Sequence, residues 1–205
     1  IVNLETSFDL SGKKLLADKF DYKFYEVSRF HGASLFIKIL LDKIFSLIFI
    51  ILSSPILIVA MIIIYIEDGF PLLFTQNRTG WDGRRFKIYK LRTLKKENFD
   101  KTIQVQDGDK RVLKFGKIIR RYSIDELPQF YNVLMGEMSI VGPRPLFDND
   151  TQLFDTKYMR RLNVLPGITG LLQINERNTS EFETWYKYDI EYIENWSLYL
   201  DFQII

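Results

Sequence analysis

Two adjacent carboxylates, Asp125 and Glu126, sit at the centre of RRYSIDELPQFYNVLMGEMSIVGPRP, residues 120–145. Ser123 stands three residues ahead of Glu126, and Leu127, Phe130, Tyr131, Val133 and Leu134 follow. That pattern predicts a capping box opening a short amphipathic helix, which Gly136 would end. In a first helical turn the free N–H groups and the positive dipole end keep carboxylates ionised and attract anionic ligands. Successive helical side chains point about 100° apart, so the two acids would divide the work, one attacking while the other holds a metal or a proton. Pro128 is tolerated only near a helix start, which agrees with this placement. Taken alone, these residues favour a plainer role as the cap of a surface helix.

The composition narrows the chemistry. The chain has 205 residues, enough for one sizeable core, and no cysteine, which removes disulfides, thiol nucleophiles and thiolate-bound zinc. His31 is the only histidine and lies in a polar segment, so a surface position is its default and the working groups are carboxylates, Lys, Arg, Tyr, Ser or an oxygen-bound metal. The net charge of +2 hides an asymmetry: residues 78–121 hold fifteen Lys or Arg against five Asp or Glu, while from Leu146 onward five basic residues face ten acidic ones. A basic centre implies anionic partners.

Several elements must position the acidic pair. Residues 1–34 are mixed in character and are expected to be a linker or the tail of an upstream domain. Ile44 to Ile66 is almost wholly apolar, long enough for a membrane helix, but Ser53-Ser54-Pro55 interrupts it. Proline removes a main-chain donor, and the serines could satisfy the freed carbonyls. Lys38 and Lys43 precede the run, and Arg78, Arg84, Arg85 and Lys87 follow it. Positive charge on both flanks puts both ends on the cytoplasmic side. A helix-break-helix hairpin that enters and returns satisfies this rule, and a kinked spanning helix stays open beside it. Leu72–Thr75 reads as a short strand and Phe86–Leu91 as another, with Lys87, Lys90 and Arg92 on an outer face. Lys95–Gly108 reads as a loop, Val112–Tyr122 as a basic amphipathic helix suited to an anionic membrane surface, and Glu181–Phe202 as one acidic, aromatic-rich helix. Pro143 and Pro145 restrict Arg144 on both sides and fix where its guanidinium points, which suits phosphate or carboxylate binding.

Together these stretches resemble the bacterial sugar transferase family, the monotopic phosphoglycosyl transferases. The similarity rests on the apolar run broken at Ser54-Pro55, FTQNRTG at 74–80, FKIYKLRT at 86–93, FGKIIRRYSIDELPQFYNVLMGEMSIVGPRP at 115–145 and LPGITG at 165–170, and it covers about residues 38–205. The resemblance implies an α+β, mostly helical fold: a membrane-inserted re-entrant hairpin over 35–66, and a small α/β catalytic domain over 67–205 on the cytoplasmic face of the bacterial inner membrane, with interfacial amphipathic helices. It implies transfer of a sugar-1-phosphate from a nucleoside diphosphate sugar, usually a UDP-sugar, to undecaprenyl or a similar polyprenyl phosphate, with Mg²⁺. Asp125 would be the nucleophile, forming a phosphosugar-enzyme intermediate with loss of UMP, and Glu126 would handle metal or proton, both acids standing near the Mg²⁺. Lys90, Arg144, Arg78, Arg92 and Arg177 would bind phosphate or substrate. An anionic bilayer is the expected surface, and self-association is left open.

Leu171-Leu172 after the PGITG turn, and Glu176 in Asn-Glu-Arg-Asn, depart from the family's usual aromatic and glycine and bear on loop shape and sugar preference. A competing expectation is a non-catalytic membrane-surface module that binds lipid through Lys114, Lys117, Arg120 and Arg121 and recruits an assembly enzyme. Nucleic-acid binding has only the basic count behind it and leaves the apolar run without a role. The first residue is not Met and the chain stops within an apolar segment, so a longer parent protein is expected.

Overall fold

A computed structural model of the chain describes residues 32–96, 109–147, 156–176 and 182–205. The expected loop between Lys95 and Gly108 lies largely outside them, as do Arg177 and nearly all of the first segment. The elements in order are α1 (Gly32–Asp68), β1 (Leu73–Thr79), β2 (Arg85–Leu91), α2 (Gly116–Arg121), α3 (Gln129–Met135), β3 (Ser139–Val141), β4 (Leu146–Phe147), β5 (Gly167–Thr169), α4 (Leu171–Asn175), α5 (Phe182–Asn195) and α6 (Leu198–Ile204), with short 3-10 turns between some of them. The architecture is α+β and mostly helical.

α1 is inside out. Its buried residues are Lys38, Asp42, Ser46, Ser53, Ala60 and Ile64, a mostly polar or small stripe, while Phe36, Leu40, Ile44, Leu47, Ile51, Ile58, Ile62 and other large apolar side chains are exposed. By length and composition α1 is able to cross a membrane. The helix runs unbroken through Ser53-Ser54-Pro55, where an interruption was expected. Pro55 cannot donate to the Ile51 carbonyl four residues back, and the Ser54 hydroxyl donates to it instead, at 2.7 Å. Ser53 donates to the Phe49 carbonyl at 2.6 Å.

Both ends of α1 are fastened to the rest of the chain. At one end the Lys38 ammonium meets Asp201 of α6 at 2.5 Å and Asp42 at 3.5 Å. Asp201 also accepts from Tyr192 at 2.8 Å and from Trp196 Nε1 at 3.3 Å. At the other end Glu67 accepts from the main-chain N–H groups of Lys114 and Phe115, just ahead of α2. Asp68 pairs with the buried Arg92. Between these ends Phe49 stacks on Phe130 of α3, with centroids 5.0 Å apart.

β1 and β2 form an antiparallel hairpin that pairs Phe74 with Lys90 and Arg78 with Phe86, and β4 joins the other edge of β1. The first strand extends to Thr79, beyond the expected Leu72–Thr75. β3 and β5 pair in parallel. There Gly142, Gly167 and Gly170 let two main chains touch: a Cβ on Gly167 would sit 2.1 Å from the Gly142 nitrogen, and one on Gly142 2.3 Å from the Leu165 oxygen. Phe86, Ile88, Val133, Met138, Val141, Val164, Tyr192, Ile193 and Trp196 make the main core. Ala60 and Ile64 of α1 pack with Leu91, Leu113 and Ile119 in a second.

Two expected helices are shorter than their patterns. Only Gly116–Arg121 of the basic segment is helical, because Leu113 donates to the Thr93 carbonyl and Lys95 to that of Arg111, drawing the preceding residues alongside the end of β2. The last helix is divided at Trp196-Ser197, where the Ser197 hydroxyl caps α6 by accepting from the Leu200 N–H at 3.1 Å.

Removing the hydroxyl in Ser54→Ala leaves the Ile51 carbonyl unpaired, at a cost of about 1–3 kcal/mol. Thermal unfolding in detergent micelles should show a midpoint several degrees lower for Ser54→Ala and a near-native one for Ser54→Thr.

Candidate active site

Asp125 and Glu126 occupy a 3-10 turn, Ile124–Glu126, ahead of α3. The expected capping box does not form: Ser123 has the left-handed φ of +55° and its side chain makes no capping hydrogen bond, and Pro128 stands at the N-cap of α3. Left-handed backbone at Ser123 turns the chain sharply between α2 and the acidic pair. Gly136, at φ +80°, ends α3 as expected.

Lys90 does not lie on the outer face. Residues 86, 88 and 90 share one face of β2 by the two-residue period, so Lys90 follows Phe86 and Ile88 inward. Its ammonium reaches Glu126 Oε1 at 2.7 Å, and the Arg144 guanidinium lies 3.6 Å from the same oxygen. One carboxylate oxygen therefore serves two cations, one on a strand and one on the Pro-Arg-Pro loop. Asp125 is buried beside them at 8 % exposure. Burial pushes its carboxyl above the usual aspartate range, opposed by Lys90 and reinforced by Glu126. Burial likewise lowers Lys90, opposed by Glu126. Arg78, Lys90, Gln129, Arg144, Pro145 and Ile168 line a small polar cleft here. Arg78 holds one wall by donating to the Pro145 carbonyl at 3.2 Å and to Gln76 at 3.1 Å.

Arg92, expected to bind phosphate, is 1 % exposed. It donates to the carbonyls of Pro71, Leu94, Gly69 and Asp68 and to the Asp68 carboxylate. Five bonds use all five donors of a guanidinium. Arg92 is a clamp between β2 and the end of α1, with no donor left for a substrate.

Three supporting residues had no prominent sequence signal. Asn132, wholly buried in α3, donates to the Lys87 carbonyl and to Glu137, each at 2.7 Å, and accepts from the Tyr89 N–H at 3.2 Å. A second amide three residues after Gln129, among the apolar residues of the helix, was the available clue. It locks α3, and the acidic turn before it, against β2. Arg161 donates to the Arg144 carbonyl at 2.7 Å and pairs with the buried Asp189 of α5 at 2.9 Å. It thus fixes the backbone from which Arg144 projects. Glu176 accepts from Tyr188 at 3.3 Å, with φ −143°, a backbone that needs no glycine.

The acidic pair also bears on the expected Mg²⁺. Among the described residues no group of three or more His, Asp or Glu could hold a metal. Two carboxylates fit the mode in which Mg²⁺ takes one or two protein ligands and completes its shell with substrate phosphate and water.

The family model for bacterial sugar transferases matches residues 33–205. The chain belongs to this family. It is 44 % identical over 187 residues to a UDP-glucose:undecaprenyl-phosphate glucose-1-phosphate transferase of Klebsiella pneumoniae, a match covering 87 % of this chain and 40 % of that protein. It is 42 % identical over 153 residues to the uncharacterized sugar transferase EpsL of Bacillus subtilis, covering 75 % of each. A UDP-N-acetylgalactosamine-undecaprenyl-phosphate N-acetylgalactosaminephosphotransferase of Aeromonas hydrophila is 40 % identical over 177 residues, covering 83 % of this chain and 42 % of that protein. The chain thus spans less than half the length of two of these relatives.

Asp189 supplies a pH test of the scaffold behind Arg144. Burial raises its carboxyl from 3.8 to about 6, against the pull of Arg161. The folded state therefore holds this proton more tightly than the unfolded chain, so this group's contribution to stability falls as pH rises from about 4 to about 6 and is flat above. Relative to Asp189→Asn, the wild type should lose on the order of 3 kcal/mol across that window, measured by denaturant unfolding at successive pH values.

Proposed function

We propose that this chain transfers a sugar-1-phosphate from a UDP-sugar to undecaprenyl phosphate, giving polyprenyl-diphospho-sugar and UMP, an early membrane step of bacterial polysaccharide or glycoconjugate assembly. The observation that carries the reading is the buried carboxylate of Asp125 beside a neighbouring acid held by Lys90 and Arg144. The names of the Klebsiella and Aeromonas relatives support both substrate classes.

In this mechanism an Asp125 oxygen attacks the phosphorus that bears the sugar, and the bond to the UMP oxygen breaks as UMP leaves. An aspartyl phosphosugar results. A lipid phosphate oxygen then attacks the same phosphorus and expels the carboxylate, which restores Asp125. Two displacements at one nucleophile let two very different molecules use one site in turn. Lys90 and Arg144 neutralise charge on the diphosphate, and Glu126 keeps both cations in place between turnovers. Asp125 and Glu126 would hold Mg²⁺, whose chemistry is to offset phosphate charge. Burial of Asp125 weakens its hydration and leaves it available for attack.

A membrane location follows from α1. Its exposed apolar surface is far too extensive for water and suits hydrocarbon, while its polar stripe faces protein. The basic flanks support a catalytic unit on the cytoplasmic face.

The test is UMP release from a panel of UDP-sugars by protein in nanodiscs with undecaprenyl phosphate and Mg²⁺. Asp125→Asn should lower the rate at least about 1,000-fold, on the scale of losing a nucleophile. Full activity of that variant would overturn the assignment of Asp125 as nucleophile, and a wild type that released UMP from no donor would favour the non-catalytic membrane module instead. Because Asp125 must be ionised and Lys90 protonated, the acid limb of kcat/KM should lie above the range of an ordinary aspartate and the alkaline limb below that of an ordinary lysine.

A further inference from the structure

Gln129 carries a buried polar group with nothing to bond. It opens α3, is 2 % exposed, and its side-chain Nε2 has no hydrogen-bond partner, yet the residue lines the cleft together with Arg78, Lys90 and Arg144. Asn132, one turn further along the same helix, spends its buried amide on Lys87, Glu137 and Tyr89. An unpaired buried donor costs stability unless something supplies its acceptor.

We propose that Gln129 is a donor-substrate ligand whose amide N–H bonds an anionic oxygen of the nucleoside diphosphate sugar's diphosphate. This rests on the reading of the cleft as the donor site. Three cations around the cleft make an anion its natural occupant. An amide can present either end, and toward an anionic oxygen it presents NH₂. The backbone from Leu127 through Pro128 into α3 is right-handed helical, so the turn that carries Asp125 runs directly into the helix that carries Gln129. Lys90 and Arg144 set the charge of the cleft, and a neutral, directional N–H fixes the orientation of the diphosphate toward Asp125.

The experiment measures calorimetric Kd for the UDP-sugar turned over fastest in the panel above. It uses full-length Asp125→Asn protein in nanodiscs, so that no turnover occurs, with and without Gln129→Met, a replacement of similar length that lacks the donor. The expected result is donor binding weakened roughly 10- to 100-fold, with an unligated melting midpoint equal to or above that of the Asp125→Asn parent. Gln129→Glu, which keeps the shape and turns the donor into an acceptor, should bind at least as poorly. Unchanged Kd in Gln129→Met overturns the assignment. So does weakened binding accompanied by a lowered midpoint in both Gln129 variants, which marks a structural role. If the wild type releases UMP from no donor, the donor-site reading itself falls and takes this inference with it; an active wild type with an indifferent Gln129→Met refutes the inference alone.

Discussion

Holding like-charged groups close together in a half-buried place is the constraint on which this structure turns. Lys90 and Arg144 converge on one oxygen of Glu126, with the buried Asp125 adjacent in sequence. Two cations without that carboxylate would repel and draw in water, and Asp125 without those cations would be driven further toward its neutral form. Each group sits on a separate element: Lys90 on a strand, the acids on a turn, Arg144 on a loop between prolines. The fold has to keep three independent pieces of backbone in fixed relation, and Arg78, Asn132, Arg161 and Asp189 are buried polar groups spent on that.

The fastening is specific at each joint. Asn132 ties the helix after the acids to main-chain groups at Lys87 and Tyr89, beside Lys90. Gly142, Gly167 and Gly170 allow the Pro-Arg-Pro loop and the PGITG turn to touch at main-chain distance, and Arg161 grips the Arg144 carbonyl with Asp189 behind it. Tyr192 donates to the Val141 carbonyl at 3.0 Å, three residues ahead of Arg144, while also serving Asp201. Each of these joints includes a directional bond or close approach to a main-chain group, which specifies position more sharply than apolar contacts do.

The acidic pair, the end of α3 at Gly136 and the serine repair beside Pro55 were legible in the sequence, because each depends on residue type and short spacing, whereas Lys90 and Arg144 were named as site residues through the family resemblance. Lys90 was assigned to the outer face with Lys87, but strict alternation from Phe86 through Ile88 brings it inward. Ser123 and Glu126 match a capping box in letters, but a cap requires extended backbone at the serine, and the turn from α2 imposes a left-handed one. Arg92 was read as a phosphate ligand because sequence shows a guanidinium and not what surrounds it. Asn132, Arg161 and Asp189 act through partners 43, 17 and 28 residues away, separations at which no local pattern speaks.

The same fastenings bear on how α1 lies in a membrane. Lys38 is bonded to Asp201 near one end, and Asp68 to Arg92 at the other, with roughly 45 Å of helix between them if it were straight. A helix that crossed a bilayer would carry one of these ends to the far side, where Asp201 or Arg92 would have to follow it or be left unpaired and buried. Breaking such a pair by removing one partner costs several kcal/mol. Between these two fastenings Phe49 stacks on Phe130, so that the helix behind the acidic pair rests on α1 itself. On the function proposed above, the depth of α1 in the lipid and the height of Asp125 above it would be one quantity, set by side-chain bonds, and a lipid phosphate at the headgroup level would meet Asp125 without leaving the bilayer.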